Sequence, residues 1–127
     1  MMYGYADLLV IGSGINEVCT AYENAKDGKR VVLATDGEYL LKEFSEALGG
    51  FFKDTDAIAP IVKKLGITPK RTRDGMLHVG QGCAVSGALK LLKNAGVEIL
   101  FDTVNIGVLT KDEKVAGGVF ANKFGVF

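Results

Sequence analysis

The residues best suited to hold a ligand lie together near the N-terminus, in Gly12-Ser13-Gly14-Ile15-Asn16-Glu17. Glycines on either side of a serine let the backbone turn sharply and come close to whatever it holds. If a helix starts at Ile15, its first N–H groups lack intrahelical partners and point, with the positive end of the helix dipole, at one place. That is the chemistry of an anion site. Glu17 runs against it, since it brings a negative charge to a place that should receive one. Either it tilts away and accepts a backbone N–H as a helix-start carboxylate, or it excludes the ligand.

Residues 7–36 supply the elements that must position this turn. Asp7-Leu8-Leu9-Val10-Ile11 is an apolar run without alternation, so it is expected as a central parallel strand covered on both faces. A helix over residues 15–26 follows, with Ala21 on the face turned to the sheet, and Gly28 closes it. Arg30-Val31-Val32-Leu33-Ala34 is a second strand, which completes a βαβ unit. In that context the expected anion is the pyrophosphate of a dinucleotide. Two positions depart from the dinucleotide pattern: Glu17 stands where a third glycine is usual, and Thr35 where an acidic residue is expected at the end of the second strand. Asp36 lies one residue late. A carboxylate there would accept hydrogen bonds from a ribose diol, although a shift of one residue changes where a strand side chain points.

The whole chain has 127 residues, 48% of them hydrophobic, and a formal net charge of zero. This is enough for one domain with a modest core. Fifteen basic and fifteen acidic residues give no electrostatic case for nucleic acid, and the apolar runs fall far short of a membrane span. Residues 1–5 lack a basic start followed by an apolar stretch, so no secretory signal is read and a cytoplasmic protein is expected. Neither Cys19 nor Cys83 has a metal-ligand partner at a useful spacing, and both are read as small buried thiols. A reactive Cys83 near a helix start is the alternative.

Residues 39–48 carry apolar positions at helical spacing before Gly49-Gly50, and residues 57–65 form a short helix limited by Pro60 and closed by Gly66. Phe51-Phe52 is read as a connection. Asp74-Gly75 lies between two short extended runs and predicts a two-residue hairpin, with Lys70, Arg71 and Arg73 as a solvated basic cluster. His78, the only histidine, is read as structural rather than catalytic. A helix over residues 83–96 leads to a third main strand over residues 97–104 by a long crossover. Two extended runs, residues 106–110 and 115–122, make an antiparallel hairpin; after a turn at Lys123-Phe124-Gly125, Val126-Phe127 looks like the start of another strand.

The order of a glycine-rich βαβ unit, a helix ending Leu92-Lys93-Asn94-Ala95-Gly96-Val97-Glu98-Ile99-Leu100, and a hairpin from Val108 to Val119 resembles the N-terminal part of FAD-dependent oxidoreductases. The resemblance implies a Rossmann-like α/β fold over residues 1–127 as one partial FAD/NAD(P)-binding domain. Its central sheet would be mainly parallel, with an antiparallel meander and a helical and hairpin insertion at about residues 38–80. The last strand of the usual fold would be missing. It implies FAD as cofactor, with its ADP half on Gly12, Ser13, Gly14, Ile15, Asn16 and Glu17, the ribose at Thr35 or Asp36, and an adenine backbone contact near Asn105. Gly49-Gly50 resembles a glycine pair that follows the ribose acid in many relatives. A flavin site completed only by a further chain or segment, joined through an exposed sheet edge or in a homo-oligomer, is the partner this implies. The same glycine turn is also similar to the Gly-x-Gly-x-x-Glu turn of Rab GDP-dissociation inhibitors, which would make the chain a non-catalytic protein-binding relative. NAD(P) is the weaker cofactor reading, because the long insertion before the third strand does not suit a plain nicotinamide domain.

Overall fold

A computed structural model gives the fold and describes residues 4–45 and 50–127. Strand β1 (Leu8–Ile11), helix α1 (Ile15–Lys26) and strand β2 (Val31–Ala34) form the expected βαβ unit, paired in parallel from Leu8↔Val31 to Ile11↔Ala34. Gly28, at φ 87°, turns the chain out of α1, as its sequence position predicts. Helix α2 (Lys42–Ser45), strand β3 (Phe51–Phe52), helix α3 (Ala59–Lys64), strand β4 (Lys70–Arg71) and strand β5 (Leu77–His78) fill the excursion before helix α4 (Gln81–Asn94). Strand β6 (Glu98–Leu100) then returns to the main sheet, and β7 (Val104–Lys111), β8 (Lys114–Asn122) and β9 (Gly125–Val126) follow as a meander.

Three three-stranded sheets result among the described residues: β1-β2-β6, all parallel, and the antiparallel sheets β3-β5-β4 and β7-β8-β9. Side chains alternate across the main sheet. Val10, Val31 and Leu33 face the side that packs with Val18 and Ala21 of α1 and with Ala84, Ala88 and Leu92 of α4, the latter three spaced four apart along one helix stripe. The opposite side carries the meander. A side chain begun at Gly118 of β8 would meet Leu9 Cδ2 at 2.9 Å, so the two sheets touch where glycine leaves room.

Several expectations need correction. The central strand is β2, with all four residues buried, and β1 is an edge of the sheet among the described residues. An apolar run reports burial on two faces, and Ile11, about half exposed, shows that even this weakens toward the strand end. The helix expected over residues 39–48 is regular only at Lys42–Ser45; Tyr39, Leu40 and Leu41 precede it, and residues 46–49, Gly49 included, lie outside the described residues. Leu40 and Leu41 are plugs in the core instead of a helix face, and Leu41 takes φ 54°, which a right-handed helix does not permit. Phe51-Phe52 is not a bare connection, because it pairs with β5. The hairpin at Asp74-Gly75 has three loop residues rather than two: Thr72 N–H donates to Met76 O, and Gly75, at φ 81°, closes a turn on Thr72 O. The third main strand stops at Leu100, with Asp102 at φ 49° turning the chain toward β7. Val126 belongs to β9, which pairs with β8 through Ala121↔Val126.

Candidate functional site

All three parallel strands end on the same side of the molecule, and the glycine turn, Thr35 and Asp36 lie there. Gly12 leaves β1 with its N–H on Ala34 O (2.8 Å) and φ 127°, a conformation open to glycine. Ser13 is buried, and Gly14 caps α1 with extended backbone and no side-chain hydrogen bond of its own. The first helical amides therefore need a partner from elsewhere. Ile15 N–H finds one 28 residues away, in Glu43 Oε1 at 3.0 Å. Asn16 is exposed on the first turn.

Glu17 does not tilt away. A side chain begun at Gly12 would meet Glu17 Cγ at 2.9 Å, and one begun at Gly14 would meet Glu17 Oε2 at 2.6 Å and Glu43 Oε1 at 2.7 Å. Two carboxylates thus lie over the glycine turn, in space that exists because Gly12 and Gly14 lack side chains. At the helix start the Ile15 N–H goes to Glu43, not to Glu17. Nothing in the sequence marks Glu43, which no local pattern connects with the turn.

The segment that carries Glu43 is fastened to the site. Leu41 N–H donates to Ser13 O (2.6 Å), and Leu40, Leu41 and Phe44 are almost wholly buried. Glu43 Oε2 is itself buried and has no hydrogen-bond partner among the described residues. The end of α4 nearest this segment is tied to it by Gln81 Nε2, which donates to Ser45 O.

Thr35 and Asp36 follow β2 immediately beside the turn. Thr35 is buried and already engaged: its N–H donates to Leu100 O (2.9 Å), its O accepts Thr103 N–H (2.9 Å), and its Oγ1 accepts Gly37 N–H (3.2 Å). Its role is to stitch β2 to the chain leaving β6. Asp36 is exposed. Asn105, on β7, donates from Nδ2 to Gly107 O (3.1 Å), at an irregularity in the β7–β8 pairing.

The remaining candidates stand apart from the turn. Arg71 is paired with Asp54 (2.8 Å) and also donates to Gly75 O, which fits the solvated reading of the basic hairpin. His78 packs on Phe51, with ring centroids 4.4 Å apart. Gly50 serves the same small sheet, since a side chain there would meet Val79 O at 2.6 Å. Burial pushes the Cys19 thiol up, with nearby Lys64 opposing it. Cys83 is exposed on the first turn of α4, against the expectation of two buried thiols. A groove of about 750 Å³ lined by Ile67, Lys70, His78, Cys83 and Lys90 shares no residue with the glycine turn.

Among the described residues no helix is long and apolar enough to cross a membrane. No family model matches the chain. Solved structures do. THI4 of Thermovibrio ammonificans is similar with a TM-score of 0.75 at 16% identity, over 91% of this chain and 47% of that one. A geranylgeranyl bacteriochlorophyll reductase-like protein of Thermoplasma acidophilum gives 0.71 at 14% identity, over 95% and 36%. A ternary complex of aklavinone-11 hydroxylase with FAD and aklavinone gives 0.65 at 15% identity, over 100% and 31%. At these identities the likeness is one of fold. The chain spans between about a third and half of the length of these proteins.

Proposed function

We propose that this chain is the dinucleotide-binding portion of a flavin-dependent oxidoreductase and receives the ADP half of FAD at Gly12–Asn16. One observation carries the reading: a glycine turn at the C-terminal end of a parallel strand runs directly into a long helix, with the end of the next strand beside it, in a fold like that of a hydroxylase solved with FAD. The backbone of the turn suits a diphosphate. The side chains over it do not, as they stand, because Glu17 and Glu43 bring two negative charges to the place where two more would come. Asp36, exposed beside the turn, is the candidate partner for the ribose, since Thr35 is buried and engaged. FAD supplies redox chemistry when bound; the part of this chain is binding and orientation. A substrate site is assigned to a further chain or segment, which we place at the edge of β1 that is open among the described residues.

The test is a visible absorption spectrum of the purified protein and a titration following the quenching of flavin fluorescence. A yellow protein, or saturable quenching at micromolar FAD, is the expected result. A folded, colourless protein that ignores FAD would remove the reading.

A further inference from the structure

The conflict between a glycine turn built for an anion and the two carboxylates lying on it has a structural content of its own. Glu43 Oε1 takes the Ile15 N–H that a ligand phosphate would take, at an ordinary hydrogen-bond distance of 3.0 Å. Its distance to the Gly14 side-chain position, 2.7 Å, and that of Glu17 Oε2, 2.6 Å, put both acids in the same hollow. The carboxylate is delivered there by design of the chain. Leu41 N–H on Ser13 O, the buried side chains of Leu40, Leu41 and Phe44, and the left-handed backbone of Leu41 fix the approach of the segment to the turn. The contact is also half-satisfied: one oxygen has its donor, whereas Oε2 is buried without one among the described residues. Such an oxygen is costly to keep, so the contact can be given up for a better-solvated one.

We propose that Glu43 is a built-in competitor for the anionic part of the ligand and decides which anions the turn accepts. This rests on the dinucleotide reading above. A phosphate group can take Ile15 N–H only when the Glu43 carboxylate leaves it, because two negative groups cannot share one donor at hydrogen-bond distance without strong repulsion. Inorganic phosphate has little to offer in exchange. A nucleoside diphosphate adds contacts of its ribose and base to those of the phosphates, so it can displace the carboxylate where the bare anion fails.

Titration of the unaltered protein and of Glu43→Gln with ADP tests this, with isotope-labelled protein followed by NMR. The glutamine keeps the shape and an acceptor oxygen while removing the charge. ADP should bind the variant about tenfold more tightly, the size of one charged competitor removed from a partly buried helix start. In the unaltered protein the Ile15 amide and the Glu43 carboxyl carbon should shift together along the ADP titration, a readout that needs no variant to fold. Equal affinities in the two proteins, or an ADP complex in which the Glu43 carboxyl resonance stays in place, overturn the proposal and leave the dinucleotide reading intact. If neither protein binds ADP, both fall together.

Discussion

Asp7 shows how much a single exposed side chain can fasten. One of its oxygens accepts Arg30 N–H (2.8 Å) and the other the Tyr5 hydroxyl (2.9 Å), so the start of β1 is clipped to the start of β2. The backbone bond from Arg30, then the Tyr5 hydroxyl, hold the Asp7 carboxyl below its ordinary value. A carboxyl depressed in the folded state stabilises fully above its unfolded value, and that contribution is lost as pH falls through the folded one. Thermal melts across the acid range should therefore show a loss of stability below the ordinary carboxylate range, and Asp7→Asn should show less of that loss while being less stable at neutral pH. The effect is modest, because the clasp is open to water. At this scale the sequence speaks where a residue type has one local use. Gly12 and Gly14 announce a turn, and Gly28 a helix end. Glu43 is silent in the sequence because its role depends on a tertiary approach across 28 residues. Thr35 misleads for the same reason: its place at the end of β2 is legible, but its engagement with Gly37, Leu100 and Thr103 is not.

Among the elements, the β7–β8 hairpin carries strain that a substitution can relieve. Its two-residue turn, Asp112-Glu113, has φ of 51° and 61°, a pair of left-handed residues of the kind that twists with the flanking strands. Glutamate has no preference for that conformation. Glu113→Gly should raise stability by about 0.5–1 kcal/mol, the relieved strain less the extra freedom of unfolded glycine, as measured by urea unfolding. The existence of this hairpin was readable from two extended runs and a charged connection, whereas its turn type was hidden, since neither Asp112 nor Glu113 is the glycine that usually signals it. Helices α1 and α4 were readable from period and caps. The stretch from Tyr39 was not, because its apolar spacing suits a helix equally well when Leu40 and Leu41 are used as plugs. Pairing of Phe51-Phe52 with β5 lay below the length at which any pattern shows.

On the scale of the whole molecule, the main sheet has β2 enclosed and β1 open on its outer side among the described residues. Leu8 and Gly12 send their N–H groups to Arg30 O, just before β2, and to Ala34 O at its end, so the alternation of a strand turns the Leu9 and Ile11 amides toward the open side. Hydrogen exchange should therefore be faster at Leu9 and Ile11 than at Val10 and Leu33, and should slow at both when a completing strand is present; equal protection in the chain alone would argue that this edge is already covered. The βαβ order and the long crossover were legible because each strand is marked by its own residues. Which strand lies in the middle was not, since neighbours in a sheet are chosen by chain segments far apart. That separation also sets the tempo of folding. The meander joins strands next to each other in sequence, but β2 meets β6 only after Leu33 finds Ile99, with the Glu43 segment, the small sheet and α4 all inside the loop being closed. Closing so long a loop is the slow event in such a topology, so the segment that covers the glycine turn is searching for its place while the sheet beneath it is still incomplete.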